Sequence, residues 1–292
     1  MKDKTHIQNL FILNITMLIM STSGVLGRYI NMPPPATIWW RCVFGALFLY
    51  LFCRWKKNSL KVNLAHDGWA LLIGGILLGA HWITYFYALK LSNVAIGMLS
   101  LFTYPVFTAF LEPLLLKTKF QPAHILLAFL VLIGIYFLAP EFSLGNDTTL
   151  GIICGLVSSI FYTLRNLLLK KKVSRYAGTT LMFYQVIIVA CLFWPVFFFN
   201  DIRTISGAWM PTIALALITT AIGHTLFVTN LKKFSVTTVS IISGTQPIYG
   251  ILLGLLFLKE VPQSSTLIGG ALILTTVIIE SARTKSAQKK EE

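Results

Sequence analysis

Arg41, His81, Arg165 and His224 stand inside long apolar runs, where an ionisable group is costly unless it has a partner or a task. Arg41 lies about seven residues into its run. Its planar fork suits a substrate carboxylate, and bonding to backbone carbonyls or reaching a headgroup layer is the plainer alternative. Arg165 falls five residues before Lys170 and is expected to snorkel to the surface, with a partner inside the cavity as the alternative. Either histidine could bond a solute, change charge near neutral pH, or simply tie neighbouring helices together. Polar groups cluster around two prolines: Ser100, Thr103 and Tyr104 beside Pro105, and Ser243, Thr245 and Gln246 beside Pro247. They could bond a polar ligand or satisfy the backbone of a kinked helix. Tyr85 and Tyr162, with Trp82, add aromatic surface suited to an amphiphilic metabolite or to plain packing. The candidate substrate-binding set is therefore Arg41, His81, Tyr85, Ser100, Tyr104, Tyr162, His224, Ser243 and Gln246, with Pro105 and Pro247 as hinges.

Several chemistries lack their parts. No carboxylate falls mid-run, so the usual proton relay is missing its main group. No phosphate-binding G-x-x-x-x-G-K-[ST] loop and no G-x-S-x-G or H-E-x-x-H motif occurs. Cys42, Cys53, Cys154 and Cys191 form no CxxC pair and read as small core hydrophobes. No cofactor or metal is implied, and the chain is not expected to be an enzyme.

The elements that carry these residues must be membrane helices. Of 292 residues, 56% are hydrophobic and 12% charged, and the mean hydropathy is +0.76. Soluble domains are about 25% charged. Ten spans are expected: Gln8–Ile30, Pro34–Arg54, Asp67–Leu89, Leu91–Leu116, Gln121–Pro140, Thr149–Lys170, Gly178–Phe199, Gly207–Asn230, Phe234–Leu258 and Gln263–Ser281. The tail 282–292 is charged and expected to fray. With the N-terminus inside, eighteen Lys and Arg fall on the cytoplasmic side. Only Arg28, Lys90, Arg203 and Lys259 fall outside, so both termini are assigned to the cytoplasm. The formal charge of +14 thus reads as a topology signal facing lipid headgroups, and nucleic acid is not an expected partner.

The stretch Ala88–Phe120 returns as Asn230–Pro262, with nine identities in 33 positions at an ungapped shift of 142. Pro105/Pro247 and Lys117/Lys259 are among them. A matched proline inside an apolar run is informative because it removes a helix hydrogen bond. Five spans per half is an odd number, so the halves 1–140 and 141–281 would enter the membrane in opposite senses. GxxxG spacings at Gly75–Gly79, Gly151–Gly155 and Gly250–Gly254 more naturally seat helices within the bundle than drive dimers, giving a monomer or weak dimer.

These residues carry a family resemblance. Pro34, Pro35 and Arg41, the run ALKLSN…YP (88–105), and NLKKFSV…QP (230–247) followed by FLKEVPQSSTLIGGALIL (257–274) together resemble the drug/metabolite transporter superfamily, in its ten-helix EamA-type branch. The resemblance covers nearly the whole chain. It implies an all-α polytopic protein of two inverted five-helix repeats around a central cavity, resident in the cytoplasmic (inner) membrane. It also implies transport of small metabolites such as amino acids, often export. Another metabolite or drug class is the alternative, and a lipid-modifying intramembrane enzyme a more distant one. The glutamate typical of the turn after each repeat is present as Glu260 but is Thr118 in the first half.

Overall fold

The structure, a computed structural model, describes residues 2–117, 120, 122–138, 143–234 and 236–291. Among these residues the regular structure is all helix, with no strand. In chain order the helices are α1 Lys2–Tyr29, α2 Pro34–Trp55, α3 Leu64–Leu91, α4 Val94–Leu101, α5 Tyr104–Leu116, α6 Ala123–Leu138 and α7 Asp147–Lys170. Then follow α8 Gly178–Phe193, α9 Trp209–Ala214, a π-helical segment Leu215–His224 that continues it, α10 Thr225–Lys233, α11 Val236–Ser243, α12 Thr245–Leu258 and α13 Ser264–Glu291.

Seven stretches are long and apolar enough to cross a membrane: Gln8–Tyr29, Pro34–Trp55, Leu64–Leu91, Val94–Leu116, Asp147–Lys170, Gly178–Phe198 and Trp209–Lys233. Ile125–Leu138, Thr245–Leu258 and Ser264–Thr276 are shorter apolar helices where the fifth, ninth and tenth spans are expected. The bundle turns large apolar side chains outward and holds charged and polar groups within an apolar core. Arg41 and Arg165 are fully buried, while Phe11, Leu126, Phe129, Leu256 and Phe257 are exposed. That inversion suits a hydrocarbon solvent and makes the protein a membrane protein.

The repeat seen in the sequence is also a repeat of local structure. α4 and α11 begin at Val94 and Val236, and α5 and α12 end at Leu116 and Leu258, each pair 142 apart. Both end in a lysine held in the left-handed region, Lys117 at φ 59° and Lys259 at φ 56°. Between α4 and α5 the helix breaks at Phe102–Thr103, and between α11 and α12 at Gly244. The cause is steric. A proline ring at position i clashes with the carbonyl of residue i−4. Four residues before Pro105 is Leu101, the last of α4, and four before Pro247 is Ser243, the last of α11. Each proline then sits in the first turn of the resumed helix, where its missing N–H costs nothing. Asn93 accepts from Ile96 N–H at 2.9 Å and caps α4.

α3 packs along α7, α2 along α8 and α6 along α13, while α1 lies against α12 and the π segment. Small residues permit these contacts. Gly155 on α7 has no room for a Cβ because Ser100 of α4 rests on it, and Gly250 on α12 is likewise filled by Met98. The expected GxxxG pairs therefore face neighbours within the chain.

Three expectations are corrected here. Arg165 does not snorkel: its side chain is wholly buried, because Gln185, Asn166 and Met182 hold its head inside the bundle. α13 continues as helix from Ser264 to Glu291, and residues 271–291 are free of Gly and Pro. Cys191 is exposed on the apolar exterior, not in the core, unlike Cys42 and Cys53. The ends of the sixth and eighth spans extend to Asp147 and Lys233. Thr118, Lys119 and Pro140 lie outside the described residues.

Candidate functional site

Both helix breaks open onto one small central chamber. Phe102 at the first break and Gln246 beside the second line it, together with His81, Tyr85, Tyr162 and His224. Its free volume is about 20 Å³, room for one water molecule. Ligand pockets usually offer about 300–1,000 Å³, so in this conformation the chamber is collapsed. A larger groove of about 350 Å³ lies between α1, α9 with the π segment, and α12. Its walls are almost wholly apolar, and Thr22, one of its few polar groups, donates to its own helix at Ile19 O. The histidines, tyrosines and glutamine gather instead at the chamber.

Five of the residues singled out in the sequence meet at the chamber: His81, Tyr85, Tyr162, His224 and Gln246. The His81 ring stacks on Tyr162 at 4.5 Å and lies near-parallel to Tyr85 at 6.2 Å. Ser158 Oγ donates to His81 O at 2.8 Å. The same Oγ lies 2.7 Å from His81 Nδ1, where the ring tautomer sets which of the two donates. His81 Nε2 has no protein partner among the described residues. His224 meets Trp82 edge-on at 5.2 Å, and Gln246 Nε2 points at Met17 Sδ at 3.0 Å.

Arg41 stands behind the chamber wall. Its guanidinium lies 3.8 Å over the Trp82 ring, Nε donates to Thr220 Oγ1 at 2.7 Å and Nη2 to Thr219 Oγ1 at 3.0 Å. The π segment presents these consecutive threonines to one guanidinium. Such segments are frequent at functional sites. Nη1 is buried without a partner. On the other side, Arg165 sits one turn beyond Tyr162 on α7. Its Nε donates to Gln185 Oε1 at 2.8 Å and Nη1 to Asn166 Oδ1 at 3.3 Å. The Tyr162 hydroxyl lies near Asn166 but outside hydrogen-bond geometry.

The remaining expected residues lie away from the chamber. Ser100 Oγ bonds back to Ile96 O at 2.6 Å, and Ser243 Oγ to Val239 O at 2.7 Å. Both serve their own helix backbone. Tyr104 packs edge-on against Tyr162 at 4.9 Å, and its carbonyl receives Thr108 and Thr163. Pro105 and Pro247 stand at the starts of α5 and α12, within a turn of the breaks.

Two clamps close the ends of the bundle, and neither was read from the sequence. At one face, Arg28 Nε meets Glu260 Oε1 at 3.0 Å, and Glu260 Oε2 accepts Val94 N–H at 2.8 Å. Arg28 Nη1 also bonds Lys90 O at 2.8 Å, tying α1 to the end of α3. At the opposite face, buried Asp67 at the start of α3 accepts from Lys172 at 2.6 Å and Tyr176 at 2.7 Å. The linker before α3 is held to α8 by Thr180 on Ser59 O and Tyr184 on Leu60 O. Lys170, 142 residues after Arg28, bonds Leu231 O at 2.7 Å and Phe234 O at 2.8 Å. The useful signals were an aspartate at a helix start, a separate run of lysines at 170–172 and the glutamate of the second repeat.

Known proteins share this plan. The chain is 26% identical over 266 residues to an uncharacterized transporter of Archaeoglobus fulgidus, covering 91% of this chain and 93% of that one. It is 23% identical over 258 residues to the pseudopaline exporter CntI of Pseudomonas aeruginosa, covering 87% and 88%. A crystal structure at 17% identity superposes with a TM-score of 0.70 over 94% of this chain and 97% of its own. That likeness shows the fold. The pattern of the EamA-like transporter family matches twice, at residues 9–139 and again at 149–281. The family pattern thus covers most of the chain, once in each half, and the protein belongs to the EamA-like transporter family.

Proposed function

We propose that the protein is a secondary transporter that exports amino acids or related small metabolites across the cytoplasmic membrane by alternating access. The observation that carries this reading is the collapsed polar chamber between two clamped faces. A solute must pass through the bundle centre, and each clamp joins an element of the first half to one of the second. Releasing one clamp at a time would expose the chamber to one side at a time.

The ten-span, inverted arrangement is part of the proposal. The three short apolar helices would complete the count, aided by α11 before α12 and by the rest of α13. Arg28 and Lys170, 142 apart, cap α3 and α10 at opposite faces, as inversion requires. Trp82 and His224, also 142 apart, touch each other at the chamber. Residues related by a two-fold meet their counterparts only near the axis. The Asp67 face would be cytoplasmic, since it carries the excess of Lys and Arg. His81, Tyr85, Tyr162, His224 and Gln246 would meet the solute, with Arg41 supporting it from behind Trp82. Pro105 and Pro247 would mark the hinges. The similarity to an exporter favours the outward direction.

Efflux from proteoliposomes containing the purified chain, with amino acids examined first, tests the reading. Selective release of a small metabolite is expected. Lipid turnover without solute flux would point to an enzyme instead.

A further inference from the structure

Resting on that transport reading, we infer that the cargo is an anion with at least two carboxylates, which supply the countercharges for Arg41 and Arg165. Both guanidiniums are fully buried, and neither touches a carboxylate. The buried acid among the described residues is Asp67, at one face and already bound to Lys172. Arg41 is met by two hydroxyls and an indole face, and Arg165 by two amide oxygens and a thioether. These neutral groups orient the charges without cancelling them. Arginine does not escape by losing its proton, and an unpaired charge held from water costs several kcal/mol.

A second observation points the same way. Nine buried side-chain atoms have no hydrogen-bond partner among the described residues. Five are pure donors: Arg41 Nη1, Trp40 Nε1, Trp82 Nε1, Asn166 Nδ2 and Gln185 Nε2. The other four, on Tyr162, Thr179, His224 and Thr225, serve as either donor or acceptor, and none is a pure acceptor. Of these, the atoms on Trp82, Tyr162 and His224 belong to chamber residues and Arg41 Nη1 lies behind the wall; an ionised carboxylate is acceptor-only, so it supplies the charge and the acceptors that this group lacks. The spacing argues for two such groups. Arg41 approaches the chamber through Trp82 from the Glu260 face, and Arg165 through Tyr162 from the Asp67 face. A cargo with one carboxylate would leave one guanidinium unmatched. Bidentate pairing with both, as the chamber widens, distinguishes a dicarboxylate from its neutral amide.

The test uses the full chain in phosphatidylethanolamine–phosphatidylglycerol vesicles. They are preloaded with equal concentrations of leucine, glutamine, glutamate, aspartate and iminodiacetate, and release is followed by mass spectrometry. Glutamate, aspartate and iminodiacetate should leave at least about tenfold faster than glutamine, the loss expected when one charge-assisted pair is missing. Arg41→Gln and Arg165→Gln should each draw the glutamate-to-glutamine ratio toward one, while Arg165→Lys keeps part of it. If either glutamine variant fails to fold, the ratio in the unaltered protein decides alone. Equal or faster release of glutamine or leucine overturns the dicarboxylate inference and leaves transport standing. A preference that survives both glutamine variants overturns the assignment to these arginines. Release of no member overturns the transport reading, and the inference with it.

Discussion

Glu260→Ala should loosen one face of the bundle and leave the other closed. Glu260 makes two contacts that hold this face: an ion pair to Arg28 at 3.0 Å and a charge-assisted bond from Val94 N–H at 2.8 Å. The side chains are 24% and 33% exposed, so the ion pair is discounted to about 0.5 kcal/mol. The carboxylate at the start of α4 contributes about 1 kcal/mol more, as acceptor and as negative charge at a helix N-terminus. Together they favour closure by about 1–2 kcal/mol, and losing them should raise the open population roughly 5- to 30-fold. A cysteine at Ser23, a buried chamber residue on α1, reports this. It is placed in a chain with Cys42, Cys53, Cys154 and Cys191 replaced, and labelled with an impermeant maleimide from the Glu260 face. Glu260→Gln should fall between the wild type and alanine, because it keeps an acceptor and loses the charge. An unchanged labelling rate, or an equal rise for reagent confined to the Asp67 face, would refute the clamp.

Asp67→Asn should have the mirror effect: Lys172 loses its charged partner, and Ser23→Cys should label several-fold faster from the Asp67 face only. Gly155→Ala drives a methyl group into Ser100 and toward Leu101 N at 3.3 Å. It should cost about 1–3 kcal/mol, read as a lowered melting temperature in detergent. Thr219→Val combined with Thr220→Val strips both hydroxyls from Arg41. The expected loss is about 2–4 kcal/mol of stability, with the two changes non-additive in a double-mutant cycle.

Local rules made part of this molecule legible. The two prolines, with the lysines that follow them, located both helix breaks and both helix ends, because ring sterics act over four residues. Hydropathy located the seven long spans, because hydrocarbon thickness acts over about twenty. Long-range electrostatics was not legible in the same way. Arg165 lies near a helix end and reads as surface-seeking, yet Gln185, twenty residues away on the next helix, draws it inward. The Thr219–Thr220 pair gains meaning only from a π segment, whose extra residue per turn leaves no mark in composition. Ser100 and Ser243 were chosen for polarity beside a proline. Which way such a hydroxyl turns is decided by the nearest free carbonyl, and in both it belongs to the same helix.

The two closures differ in kind: a single carboxylate bridging an arginine and a helix start at one face, and a many-partner aspartate at the other. In a carrier of the proposed type, this inequality fixes where the unloaded molecule rests and how quickly it turns over. It does not drive accumulation, since the free energy of the protein returns to its starting value after each complete round. Net movement would follow the solute's own gradient, and the uneven ends would set only the tempo.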